Sequence, residues 1–105
     1  MKLKIQIYGP KVHDVGYRYF LMSLAMANRI RLFEAHNTES TEGEAVLVYV
    51  DGEEEAVNRI CTLAETRRPN CSNVSNIIFN GFEGEVMKIG EYAQFYATVL
   101  LNKLS

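Results

Sequence analysis

The sequence predicts an α+β sandwich: an antiparallel sheet with two helices on one face, in the β-α-β-β-α-β or ferredoxin-like order, plus an added C-terminal helix. Three observations predict it. Apolar residues alternate along several short runs, as in half-buried strands, and recur at helical spacing in three other segments. The order of the two kinds of segment leaves little other topology once crossovers are right-handed. A chain of 105 residues, 48% hydrophobic and 23% charged, suits one domain with a single two-layer core. We expect that domain to span residues 1–105, with a core over 1–82 and a helical extension over 83–105.

The first strand is expected over residues 2–8, where Leu3, Ile5 and Ile7 share one face, and Gly9-Pro10 ends it. From Tyr17 the period changes, and Phe20, Leu21, Leu24 and Ala25 mark a helix that stops near Asn28-Arg29. Residues 30–37 and 45–50 read as two strands of a hairpin, with the turn formers of residues 38–43 as its loop. The second helix carries Val57, Ile60, Leu63 and Ala64 on its apolar face. Asp51 and Glu54 have capping-box spacing, Arg67 and Arg68 complement the far end of the dipole, and Pro69 stops the helix. A further strand is expected over residues 74–79. The last helix is expected over 86–104, its stripe made of Ile89, Tyr92, Ala93, Tyr96, Val99 and Leu100 and read as core.

A net charge of -2 gives no general attraction to nucleic acid or to an anionic membrane. No apolar run approaches the ~20 residues of a membrane span, and the alternating N-terminus lacks the apolar core of a signal peptide. A cytoplasmic location is therefore expected, with neither nucleic acid nor membrane as a partner. Cys61 and Cys71 fit no zinc spacing and read as small buried or half-buried hydrophobes.

The chemistry concentrates in Val12-His13-Asp14-Val15-Gly16-Tyr17-Arg18. A turn that runs directly into a helix N-terminus presents unpaired N–H groups to an anion. Gly16 allows a close backbone approach, and Arg18 in the first helical turn can fork onto a phosphate or carboxylate. Residue by residue, the segment resembles the acylphosphatase signature V-Q-G-V-x-[FYM]-R. Asn37 is similar to the asparagine of the family's N-x-x-D-G, residues 45–51 resemble its third strand, and Pro69, Ser72 and Val74 resemble its P-x-x-A-x-V.

The resemblance implies a cofactor-free and metal-free hydrolase of the carboxyl-phosphate bond of small acyl phosphates. Arg18 would clamp the phosphoryl group, and the loop of His13, Asp14, Val15, Gly16, Tyr17 and Arg18 would cradle it. Asn37 would orient the attacking water. Such chemistry needs charge stabilisation and in-line positioning more than a strong base, because a carboxylate already leaves readily.

The chain departs from the family pattern at named places. His13 and Asp14 replace a glutamine and a glycine, Pro10-Lys11 lengthens the connection after Gly9, and the hairpin beyond Asn37 is longer. A long helix stands where the family closes with a short strand. Asp14 matters most, since two unit charges ~4 Å apart interact by about 4 kcal/mol at an effective dielectric of 20. Aspartate tolerates positive φ, so the expected loop keeps its shape and binds phosphate more weakly. A protonated His13 beside the phosphate would offset part of that repulsion. Strand alternation sends His36 and Asn37 to opposite faces, which argues against a shared metal site. A catalytically inactive anion-binding or protein-interaction domain is the alternative function. An RNA-binding module ranks last, for lack of a basic face. The sequence leaves open the oligomeric state and the face on which the last helix packs.

Overall fold

The computed structural model describes residues 1–104, with side chains described through residue 102. Its elements are β1 (Lys2–Gly9), α1 (Tyr17–Ala27), β2 (Leu32–Ser40), β3 (Gly43–Asp51), α2 (Glu54–Thr66), β4 (Asn76–Gly81) and α3 (Ile89–Leu104). The four strands form one antiparallel sheet in the order β2-β3-β1-β4. This is the expected α+β sandwich with an added helix. Among the described residues no helix is long and apolar enough to cross a membrane.

The core follows from strand alternation. Ile5 and Ile7 of β1, Val46, Val48 and Val50 of β3, and Phe33 and Ala35 of β2 are all buried on the face that receives α1 and α2. Tyr17, Leu21 and Ala25 from α1 and Val57, Ile60 and Ala64 from α2 meet them there. Gly9 is required where β1 ends, because a Cβ at that position would overlap the Asn73 carbonyl oxygen. That close approach lets Lys11 and Asn73 exchange backbone hydrogen bonds of 3.3 and 2.7 Å, which fixes the start of the β1–α1 connection.

The end of α1 is a Schellman closure. Ile30 N–H reaches the Ala25 carbonyl at 2.9 Å, Arg29 N–H reaches that of Met26 at 3.1 Å, and Arg29 takes φ 61°.

Several expectations are corrected. Residues 38–40 continue β2 as strand instead of forming a loop, and only Thr41 and Glu42 turn the hairpin. Apolar alternation fades at the solvent-exposed tip while the backbone ladder goes on, so periodicity alone misses it. The N-cap of α2 is Glu53, with no side-chain cap, in place of the Asp51–Glu54 box. Asp51 stays in β3 and approaches the N-terminal ammonium at 4.0 Å. Arg67 and Arg68 lie beyond the last turn of α2, which ends at Thr66. Cys61 is half-buried against the core as expected, whereas Cys71 is exposed at φ 68°.

β4 is displaced by two positions from its expected bounds, and α3 begins at Ile89. The later start of α3 has a visible cause. Met87 O accepts from Phe33 N–H at 2.8 Å, and Ile89 N–H donates to Arg31 O at 2.8 Å. These bonds, with the Leu32–Lys88 bridge, give the outer edge of β2 a short strand-like partner before the helix starts.

The placement of α3 answers the question that the sequence left open. The helix lies along the outer edge of β2 and also touches α1. Tyr92 is fully buried there, and its hydroxyl donates to the Ala35 carbonyl at 2.9 Å. Its ring meets Phe33 edge-on at 5.4 Å on the core side and His36 at 6.3 Å on the other. The helix therefore straddles the sheet edge and covers carbonyl and amide groups that a bare edge strand would expose.

Candidate active site

The connection from β1 to α1 is shaped by two left-handed residues, Asp14 at φ 58° and Gly16 at φ 76°. Aspartate thus adopts a glycine-like conformation, and the loop turns directly into the helix. Gly16 is the N-cap of α1, no side chain caps the helix, and its carbonyl accepts the first helical bond from Phe20 at 2.9 Å. The first-turn N–H groups beyond it have no intrahelical partner, so this end of α1 favours an anion.

Beside it lies a cleft of about 270 Å³, lined by Val12, Asp14, Gly16, Tyr17, Arg18, Asn37, Tyr96 and Leu100. Arg18 and Asn37, which the sequence singled out, thus share one cavity. Asn37 pairs in register with Val46, on the helix-facing side of the sheet, which points it toward the α1 loop. His36 lies on the opposite face, 6.5 Å from the Tyr49 ring and 2.9 Å from Glu34 Oε1. The two neighbours are parted by strand alternation, as expected.

The loop residues do not all face the cleft. Glu44 Oε1, from the start of β3, accepts the N–H groups of both Val12 and His13 at 3.0 Å. The His13 bond is the largest cause that holds the Glu44 carboxyl below its ordinary range, with Val12 adding to it against a partial burial effect. The His13 ring turns the same way. Its Nε2 lies 2.7 Å from the Ala45 carbonyl, a pure acceptor, so this nitrogen carries the proton, and Nδ1 is 3.8 Å from Glu44 Oε2. His13 is therefore tied to the hairpin, away from the cleft, and is not placed to offset the charge of Asp14. Val15 packs against the core, so the segment facing the cleft is Asp14, Gly16, Tyr17 and Arg18.

Arg18 is half-buried, with its Cζ 5.2 Å from the centroid of the Tyr96 ring. Tyr17 is buried at 2% exposure, and its hydroxyl has no hydrogen-bond partner among the described residues. Burial pushes its pKa up, and nearby Arg68 opposes the shift.

Sequence reasoning missed three contributors. Tyr96 and Leu100 lay on the apolar stripe of α3 and read as core, and nothing in their spacing reveals that the stripe also borders the cleft. Glu44 carries no local signal at all, because it acts across a long-range contact between the hairpin and the loop.

The family model for acylphosphatase matches residues 3–92 of the chain. The chain belongs to the acylphosphatase family. The match covers the sheet from residue 3 onward, both sandwich helices, the cleft loop and the first turn of α3.

Solved structures agree on the fold. The acylphosphatase from Bacillus subtilis superposes with a TM-score of 0.61 at 21% identity, covering 83% of this chain and 92% of that one. The acylphosphatase from Coxiella burnetii gives a TM-score of 0.58 at 19% identity, covering 80% and 82%. Full-length HypF in a phosphate- and nucleotide-bound form gives 0.63 at 22% identity over 79% of this chain, though only 10% of HypF is involved. No curated protein matches the chain in sequence.

Proposed function

We propose that this acylphosphatase-family chain hydrolyses the carboxyl-phosphate bond of small acyl phosphates at the Arg18–Asn37 cleft. The observation that carries the proposal is the meeting of Arg18 and Asn37 in one cavity, at the uncapped N-terminus of α1. The guanidinium supplies a planar fork of donors for the phosphoryl oxygens, and the first-turn amides add dipoles aimed at the same charge. Asn37, opposite them, offers an amide that can both donate to and accept from a water in line with the bond to be broken. Water oxygen attacks phosphorus, the acyl carboxylate departs, and the charge spread over the phosphoryl oxygens is met by preorganised donors. No cofactor or metal is needed in this scheme, because the leaving group requires no activation.

A second reading is favoured by the acidic side chains around the loop. Asp14 brings a carboxylate to the cleft wall, and Glu44 already takes up the Val12 and His13 amides. On that reading the cleft binds anions weakly and performs no chemistry. Hydrolysis of acetyl phosphate, measured with and without chelator, separates the two. The first reading predicts chelator-insensitive turnover that falls about 10²–10³-fold in Arg18→Ala. Wild-type turnover no faster than that of Arg18→Ala would leave the anion-binding reading, and chelator-sensitive turnover would contradict the metal-free scheme.

A further inference from the structure

We propose that Tyr96 is a positioning residue for the phosphate clamp, so that the added C-terminal helix is a working part of the cleft. The inference deepens the reading above and rests on its phosphate-binding half, independently of turnover. The Arg18 Cζ stands 5.2 Å from the Tyr96 ring centroid, the distance of a cation–π contact. The π-face of a ring attracts the cation without supplying an oxygen acceptor, so the contact restrains the guanidinium and does not compete with an anion for its N–H donors. Arg18 is therefore restrained at the cleft wall, with its guanidinium beside the Tyr96 ring.

The ring that holds it is itself fixed. Tyr96 is 8% exposed and lies nearly parallel to the Tyr92 ring, at 6.1 Å and 22°. Tyr92 is anchored to the Ala35 carbonyl at 2.9 Å, and Ala35 lies two positions before Asn37 on β2. A chain of contacts thus refers Arg18 to the same strand that carries Asn37. The wall of the cleft on this side is supplied by α3, through Tyr96 and Leu100.

An NMR titration of the whole chain with inorganic phosphate tests the inference. In the wild type the Arg18 Nε–H signal and the Tyr96 ring signals should shift together along one binding isotherm. Tyr96→Phe, which keeps the ring, should bind phosphate within about twofold of the wild type. Tyr96→Leu, which keeps an apolar side chain, should weaken binding about tenfold and remove the ring-current shift of the Arg18 signal. A merely structural role would lower the melting temperature of Tyr96→Leu and leave its phosphate Kd unchanged, which would overturn the inference. So would Tyr96 signals that stay still during the wild-type titration, a result that needs no variant to fold. Failure of the wild type to bind phosphate would overturn it as well. Phosphate binding as described, without acetyl phosphate turnover, would sink the hydrolase reading and leave this inference standing.

Discussion

At the residue scale, Asp14 is where backbone and electrostatic demands separate. Its φ of 58° shows that the loop keeps the turn a glycine would make, so shape is preserved in the position where the family usually has that glycine. The carboxylate nevertheless lines the cleft proposed to hold an anion. Because Asp14 is exposed, solvent screens much of the ~4 kcal/mol that two charges ~4 Å apart would feel at an effective dielectric of 20. Asp14→Gly should tighten inorganic phosphate binding by roughly one order of magnitude and relieve the left-handed strain at the same position. Calorimetric titration of both proteins checks this, and an unchanged phosphate Kd would show that the carboxylate does not oppose the ligand. The conformation was foreseeable from residue type alone, since aspartate tolerates positive φ. The withdrawal of His13 was not, because it depends on Glu44, 31 positions away.

At the element scale, α3 and the residues just before it cover the outer edge of β2. The Tyr92 hydroxyl is central to that cover, and burial pushes its pKa up to about 12, with Arg18 opposing the shift. A raised folded-state value means that the neutral hydroxyl is the form that stabilises the fold. Its contribution is complete below the unfolded value of 10.0 and is lost as pH climbs from there through about 12. Denaturation followed between pH 9 and 12 should therefore show a steeper alkaline loss of stability in the wild type than in Tyr92→Phe. The variant should be less stable at neutral pH by about 1 kcal/mol, the usual worth of one hydrogen bond. Parallel alkaline profiles for the two proteins would contradict the assignment.

The same element shows what periodicity can and cannot tell. Ile89, Tyr92, Ala93, Tyr96 and Val99 announce an amphipathic helix, and the helix is there. Its first residues were misplaced because Met87 and Ile89 bond to Phe33 and Arg31, at and just before the start of β2, partners invisible in a local window. Its docking face was unreadable for a related reason: β2 alternates like any half-buried strand, and only the sheet order makes it an edge. The α2 cap failed differently. Asp51 and Glu54 have the right spacing, but Asp51 belongs to the ladder with β1, so the helix starts after Glu53.

At the scale of the whole molecule, the fold brings together three segments that are far apart in sequence. The β1–α1 loop supplies Arg18, the outer strand β2 supplies Asn37, and the C-terminal helix supplies Tyr96. The first two were legible through the resemblance to the acylphosphatase motifs, which the turn into α1 supported for Arg18 alone. The third was not, since it comes from the part of the chain that departs from the family pattern. Phosphoryl transfer asks for this kind of convergence, with a clamp on one side of the phosphorus and a positioned water on another.

The division of labour within the cleft is the central claim, and steady-state kinetics of acetyl phosphate hydrolysis test it most directly. Arg18→Ala should raise KM and lower kcat together, because the clamp touches the phosphoryl group in both the ground and the transition state. Asn37→Ala should lower kcat about 10²–10³-fold with KM nearly unchanged, because it acts on the water. Wild-type kcat and KM retained in Asn37→Ala, or a change confined to KM, would contradict the account.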